Sequence, residues 1–292
     1  MNTPRDYGAR GRFGLLTPQS NPTVEPEFRR LAPAGTELYV ARLTSRSDDS
    51  RARLIEYLER LPETLAQYDT LRLDAVAFAC TGSSYLLGAR REAEILAAAE
   101  AAIGAPIETA AGAILKALEA MGARRILIVS PYPDWLRDAA VAFWLEMDLE
   151  VVGTSTVPIG RADTRGIYEL QGADAAGVLD CLDTHGTDAV LVSGTGMPSL
   201  ELLRARRSQH PPVISSNLCL AWQLHQHQPG GVIHLAQCCC HLAKVANSER
   251  HHGSGSGRLP NCPGLSDTFN YVSHATGRNG AHGERTFNGR AI

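Results

Sequence analysis

An α/β fold of two pseudo-symmetric lobes, each a parallel sheet flanked by helices with the active site in the inter-lobe cleft, follows from three observations. Short apolar runs alternate with longer helical patterns over residues 12 to 228, the pattern of parallel strands covered by helices. The stretch "DAVAFACTGSSYLLG" at 74 to 88 has the same outline as "DAVLVSGTGM" at 188 to 197, with Asp-Ala-Val and Thr-Gly in register. Leu16-Thr17-Pro18 likewise resembles Val129-Ser130-Pro131, and "PIETAAGAILKAL" (106–118) resembles "PVISSNLCLAWQL" (212–224). Such self-similarity marks a duplicated unit.

Each element follows from its local pattern. "FGLL" (13–16) and "ELYVARL" (37–43) are apolar runs of strand length. A helix over about 50–68 leads to the strand "DAVAFA" (74–79), and a second helix covers about 84–103. The series continues with a helix near 109–121, the strand "RRILIVS" (124–130), a helix near 134–147 and the strand "EVVGTSTV" (150–157). It closes with a helix near 172–184, "DAVLVS" (188–193), a helix near 199–208, "PVISS" (212–216) and a helix near 217–227. The lobes are assigned as 12–108 plus 212–228 for the first and 109–211 for the second. Residues 229–292 have no sustained period and hold six of the ten histidines, so they are read as a disordered tail. A frameshifted terminus would give the same composition.

A chain of 292 residues with 44% hydrophobic content has ample material for such a core. A net charge of −3 gives no general attraction to nucleic acid or to an anionic membrane, so an anionic ligand has to be held locally. No apolar run reaches the roughly 20 residues that span a bilayer, and the N-terminus lacks the apolar core of a secretory signal. The expected location is cytoplasmic. The sequence leaves a homo-oligomer open. Seven cysteines, four of them within 238–262, form no evenly spaced disulfide framework, so Cys80, Cys181 and Cys219 are expected as free thiols. Cys238, Cys239 and Cys240 with His234 and His241 lack the paired spacing of zinc modules, and no metal is expected.

Ligand sites in parallel sheets lie beyond the carboxyl ends of the strands. Four such ends meet if the lobes face each other: "TPQSN", "CTGSS", "SPYPD" and "SGTGM". The last three precede helices, whose N–H groups and positive ends suit carboxylates. Cys80 is either a small core residue or, at a helix start before Ser83 and Ser84, an exposed thiolate of lowered pKa. Tyr132 is either a rim aromatic or an O–H donor to a carboxylate or enolate. Asn21 is a turn residue or a carboxylate ligand. Thr81, Gly82, Thr195 and Gly196 are turn formers or an oxyanion cradle, and Cys80 is expected to lie opposite Gly194.

On "GLLTPQSNPTVEPE", "ACTGSSYLLG", "VSPYPD" and "SGTGMPSL" the sequence resembles the aspartate/glutamate racemase superfamily, in its branch of maleate cis-trans isomerases and arylmalonate decarboxylases. The resemblance covers about residues 12 to 228 and implies two pseudo-symmetric lobes with the site between them. It implies a small dicarboxylate substrate and no metal or organic cofactor. Racemases of that superfamily use a cysteine on each face of the substrate carbon. Here the first is Cys80, and Gly194 stands at the second position. Racemisation is therefore disfavoured, because glycine offers no acid or base. The resemblance implies Cys80 as nucleophile or proton donor, Tyr132 and Asn21 as carboxylate ligands, and the backbone of Thr81, Gly82, Ser83, Gly194, Thr195 and Gly196 around the developing charge. Maleate-type isomerisation through a Cys80 thiolate is the favoured function. One-face protonation after decarboxylation of an arylmalonate is the alternative, and a non-catalytic dicarboxylate-binding protein is a second.

Overall fold

The computed structural model describes residues 6–161 and 163–228. Two parallel four-stranded sheets with identical strand order form its centre. The first contains β1 (Gly11–Pro18), β2 (Thr36–Leu43), β3 (Ala75–Phe78) and β4 (Ile107–Thr109), ordered β2-β1-β3-β4. The second contains β5 (Arg125–Ser130), β6 (Glu150–Thr156), β7 (Ala189–Val192) and β8 (Val213–Ser215), ordered β6-β5-β7-β8. Strands β3 and β7 are buried at every residue. That is why they read as unbroken apolar runs, since a central parallel strand has helices on both faces.

The helices are α1 (Val24–Leu31), α2 (Ser50–Glu59), α3 (Leu61–Leu65), α4 (Thr81–Ile103), α5 (Ala110–Met121), α6 (Asp134–Glu146), α7 (Gly172–Asp180), α8 (Leu200–Arg206) and α9 (Ser216–Gln226). The duplication extends to side-chain detail. Asp74 accepts from the backbone N–H of Arg12 at 2.8 Å, and Asp188 accepts from those of Arg124 and Arg125 at 2.9 and 2.8 Å. Each aspartate precedes the middle strand of its sheet and pins the start of the neighbouring one. Thr109 caps α5 through the N–H of Gly112 as Ser215 caps α9 through that of Leu218.

Several expectations are corrected. The helix expected over 50–68 breaks at Arg60, because Pro62 has no N–H to give and its ring excludes the carbonyl four residues back. Helix α4 starts at Thr81 rather than Ser84, directly after Cys80. Helix α1 went unpredicted between Pro22 and Pro26, yet Pro26 lies in a first turn where a missing N–H costs nothing. Strand β4 is three residues long and shows no periodicity of its own. The strand at 212–216 was assigned to the first lobe, but β8 pairs with β7 and so belongs to the second sheet. Only α9 crosses, packing on α1, α5 and the first sheet. The tail and its cysteine and histidine cluster lie outside the described residues. Among the described residues no helix is long and apolar enough to cross a membrane, and Cys80, Cys181 and Cys219 form no disulfide with one another.

The lobes are joined by a buried carboxyl group. Glu27 on α1 accepts from the N–H groups of Ser199 and Leu200 at 2.5 and 3.1 Å, from Ser199 Oγ at 3.0 Å and from Asn217 Nδ2 at 2.7 Å. Burial raises its pKa, and these donors oppose the rise. A second tie runs from Arg53 on α2, itself buried, to Asp163 at 2.8 Å and Thr164 at 3.2 Å. Ser199 Oγ also reaches Ser215 Oγ at 2.9 Å, so Glu27→Ala is expected to leave the other three donors, the N–H groups of Ser199 and Leu200 and one hydrogen of Asn217 Nδ2, without an acceptor, at about 1–3 kcal/mol each. Urea unfolding should show a loss of at least about 3 kcal/mol, and an unchanged midpoint would contradict this account of the lobe junction.

Candidate active site

Strand β3 leads to Cys80, where the chain turns from extended backbone (φ −148°, ψ 95°) into α4. The Thr81, Gly82 and Ser83 backbone therefore forms the first turn of that helix. Ser83 Oγ donates to the Leu54 carbonyl at 2.6 Å and reaches Cys80 Sγ at 3.3 Å. The expectation of an exposed thiolate is corrected here: Cys80 is only 5% exposed. Burial pushes its pKa up, while the Ser83 hydroxyl, the N–H groups of Ser83 and Gly82 and the charge of Arg53 pull it down. Desolvation wins, so the resting group is a neutral thiol. Its surroundings are not purely apolar, since Tyr57, Tyr132 and Tyr168 lie near enough to interact with its charge.

Across the cleft, β5 ends at Ser130 and the next turn places Tyr132, which is 3% exposed. Its Oη lies 2.6 Å from Thr81 Oγ1 and 3.2 Å from Ser193 Oγ, which in turn lies 2.9 Å from Tyr85 Oη. Burial holds the Tyr132 phenol well above its usual pKa, so it keeps its proton. This fits the expected O–H donor, although the residue is no rim aromatic.

Asn21 fills the first of its two expected roles, that of a turn residue, and its side chain ties the two lobes together. Its Oδ1 accepts from the N–H groups of Thr23 and Val24 at 2.9 and 3.2 Å, capping α1, while its Nδ2 reaches Thr195 Oγ1 at 3.4 Å. Thr195 Oγ1 donates to the Ala79 carbonyl at 2.9 Å, one residue before the thiol. Thr23 Oγ1 donates to the Gly196 carbonyl at 2.8 Å, and Asn217 Nδ2 donates to that of Thr195 at 3.0 Å. Added atoms at Gly196 would meet the Tyr168 ring at 2.7 Å, so only glycine lets that ring close over the loop. Gly194 has φ +128°, a region L-residues rarely adopt, and its N–H donates to Ser216 Oγ at 3.0 Å.

The structure thus brings Cys80, Thr81, Gly82, Ser83, Tyr132, Asn21, Gly194, Thr195 and Gly196 together. One expectation about them fails. The "SGTGM" loop offers no helix end to a ligand, because α8 starts only at Leu200 and its first N–H groups already bind Glu27. Sequence reasoning also missed Glu27, Arg53, Tyr85, Ser193 and Asn217 as supports of the site. Glu27 closes the first motif, in "NPTVEPE" (21–27), as an ordinary acidic residue of a first turn, with nothing local to mark it as buried. Among the described residues no cluster of three His, Cys, Asp or Glu side chains could hold a metal ion.

The model of the arylmalonate decarboxylase family matches residues 13–232. The chain belongs to this family. The maleate isomerase of Pseudomonas putida KT2440 is 26% identical over 229 residues, covering 73% of this chain and 90% of that protein. Two solved structures share the fold of this family member. A cysteine-to-alanine variant of the maleate isomerase from Pseudomonas putida S16, with maleate, has a TM-score of 0.68 at 23% identity, covering 77% of this chain and 97% of that one. A variant of the Nocardia farcinica maleate cis-trans isomerase, with a covalently bound succinylcysteine intermediate, has a TM-score of 0.66 at 23% identity over 78% and 98%.

Because Cys80 is buried and its pKa raised, alkylation by iodoacetamide should be slower at pH 7 than that of the exposed Cys181. The Cys80 rate should still be climbing above the ordinary thiol pKa of about 8.5. Peptide mass mapping at a series of pH values measures both, and a Cys80 rate that levels off below pH 8 would contradict the burial argument.

Proposed function

We propose that the protein is a cofactor-independent cysteine isomerase that converts a small cis-dicarboxylate, of the maleate type, into its trans isomer through Cys80. The observation that carries this reading is the placement of one thiol at the start of α4, within reach of the donors of its first turn and facing the hydroxyls of the other lobe. The maleate isomerase relatives, which span both lobes, support it, as does the succinylcysteine seen in a structural neighbour. Asn21 and Tyr132 are the carboxylate ligands in this reading, and the backbone around Thr81, Gly82, Ser83, Gly194, Thr195 and Gly196 lines the developing charge.

The chemistry is nucleophilic catalysis. Cys80 gives its proton to a carboxylate of the bound substrate, and Arg53 with the N–H groups of Gly82 and Ser83 favours the thiolate that results. The thiolate adds to one alkene carbon, which leaves a single bond between the two carbons. Rotation about that bond and expulsion of the sulfur give the trans acid. A closed, mostly dry site suits this sequence, since water would quench the adduct and weaken every electrostatic contact.

A second reading has specific support. Residue 194 is glycine, so the site has one thiol, and one-face protonation after loss of CO₂ from an arylmalonate needs only one. That thiol would stand on the first lobe, whereas in the arylmalonate decarboxylases that this chain resembles it belongs to the second. The product would then have the opposite hand.

Proton NMR of purified protein with maleate, and separately with phenylmalonate, tests both readings. Fumarate is expected from maleate and should disappear with Cys80→Ala. Phenylacetate without fumarate would replace the isomerase with the decarboxylase, and turnover surviving Cys80→Ala would overturn both.

A further inference from the structure

Hydroxyl groups from both lobes form an ordered chain across the site. Tyr85 Oη, Ser193 Oγ, Tyr132 Oη and Thr81 Oγ1 follow one another at 2.9, 3.2 and 2.6 Å. Each oxygen carries one proton. The Tyr85 ring is fixed edge-on against Tyr132 and Trp144, with centroids 6.1 and 5.7 Å away, and is tilted on Phe143 at 5.3 Å. When Tyr85 donates to Ser193, Ser193 donates to Tyr132, and the Tyr132 proton points from the second lobe towards Thr81 on the first, across the space between them. A Cβ built on Gly194 would lie 3.5 Å from Tyr132 Oη. The phenol hydroxyl therefore borders the space that a side chain at residue 194 would enter.

We propose that Tyr132, rather than serving as a carboxylate ligand, is the acid–base residue on the face opposite Cys80, where residue 194 offers none, with Ser193 and Tyr85 as positioning residues that hold its oxygen. This rests on the isomerase reading above. As the Cys80 sulfur bonds to one alkene carbon, the alkene electron pair moves to the neighbouring carbon. That carbon takes the Tyr132 proton, and the phenolate left behind accepts hydrogen bonds from Ser193 and Thr81. After rotation the phenolate removes a hydrogen from the same carbon. The C–H pair re-forms the alkene, the carbon–sulfur bond breaks, and thiolate and phenol are restored. Sulfur and phenol act from opposite faces. Removal of the newly added hydrogen therefore regenerates the cis acid, and the trans acid forms only when the original hydrogen leaves.

The trans product consequently keeps one hydrogen from solvent. The full-length protein is incubated with maleate in D₂O, and the fumarate is analysed by NMR and mass spectrometry at low conversion. One deuterium per fumarate is expected. Tyr132→Phe should slow turnover by about 10²- to 10⁴-fold. Tyr85→Phe keeps the ring packing and should lower kcat severalfold with KM unchanged, still giving singly deuterated product. Fumarate without deuterium from the native protein overturns the acid role of Tyr132 but leaves thiolate addition by Cys80 intact. Native-like turnover by Tyr132→Phe does the same, and an unchanged kcat in Tyr85→Phe removes the positioning role. No fumarate from the native protein overturns the isomerase reading and the proposal together. The isotope result needs no variant, so a variant that fails to fold does not decide the question.

Discussion

The carboxyl group of Glu27 is the constraint on which the site depends. It lies on α1 of the first lobe and takes the N–H groups of Ser199 and Leu200 from the second, together with Asn217 at the start of α9. A buried carboxyl group without donors would cost several kcal/mol, so the fold tolerates Glu27 only with the lobes in this relation. Asn217 passes the constraint on, because the same Nδ2 that reaches Glu27 also reaches the Thr195 carbonyl. Thr23 and Asn21, the residues that open α1, hold Gly196 and Thr195 from the other side. The loop that faces Cys80 is thus held chiefly from outside its own sheet.

This arrangement explains why the two halves of the duplication diverge at equivalent points. In the first lobe the strand end runs directly into α4, so the backbone after Cys80 is a helix start. In the second lobe the equivalent helix start is drawn away to bind Glu27, and the strand end becomes a glycine turn at φ +128°. One half retains a thiol at a helix start, and the other has a glycine turn in its place. The asymmetry follows from the use of one helix end for structure rather than for a ligand.

Electrostatics sets the resting state of the site. Three phenols and one guanidinium surround a buried thiol, and desolvation outweighs the donors aimed at the sulfur. The same low dielectric that keeps the thiol protonated strengthens every hydrogen bond to a charge formed there later. Burial of Cys80 therefore suits chemistry in which the charge appears only with the substrate in place.

The sequence by itself determined the α/β class, the duplication and the four strand ends at which the site is built. These are local quantities: apolar runs of strand length, helical periodicity, and small residues where strands stop. Cys80, Tyr132 and Asn21 could be singled out as candidates because each lies within a few residues of a strand end. Tertiary structure alone decided the partner of β8, the burial of the thiol and the roles of Glu27, Arg53, Tyr85 and Asn217. Strand pairing in a parallel sheet joins residues far apart in the chain, as Val190 joins Val213. Burial depends on which helices fold over a residue, and a glutamate in a first helical turn looks the same in sequence whether it faces water or, like Glu27, the start of another lobe's helix.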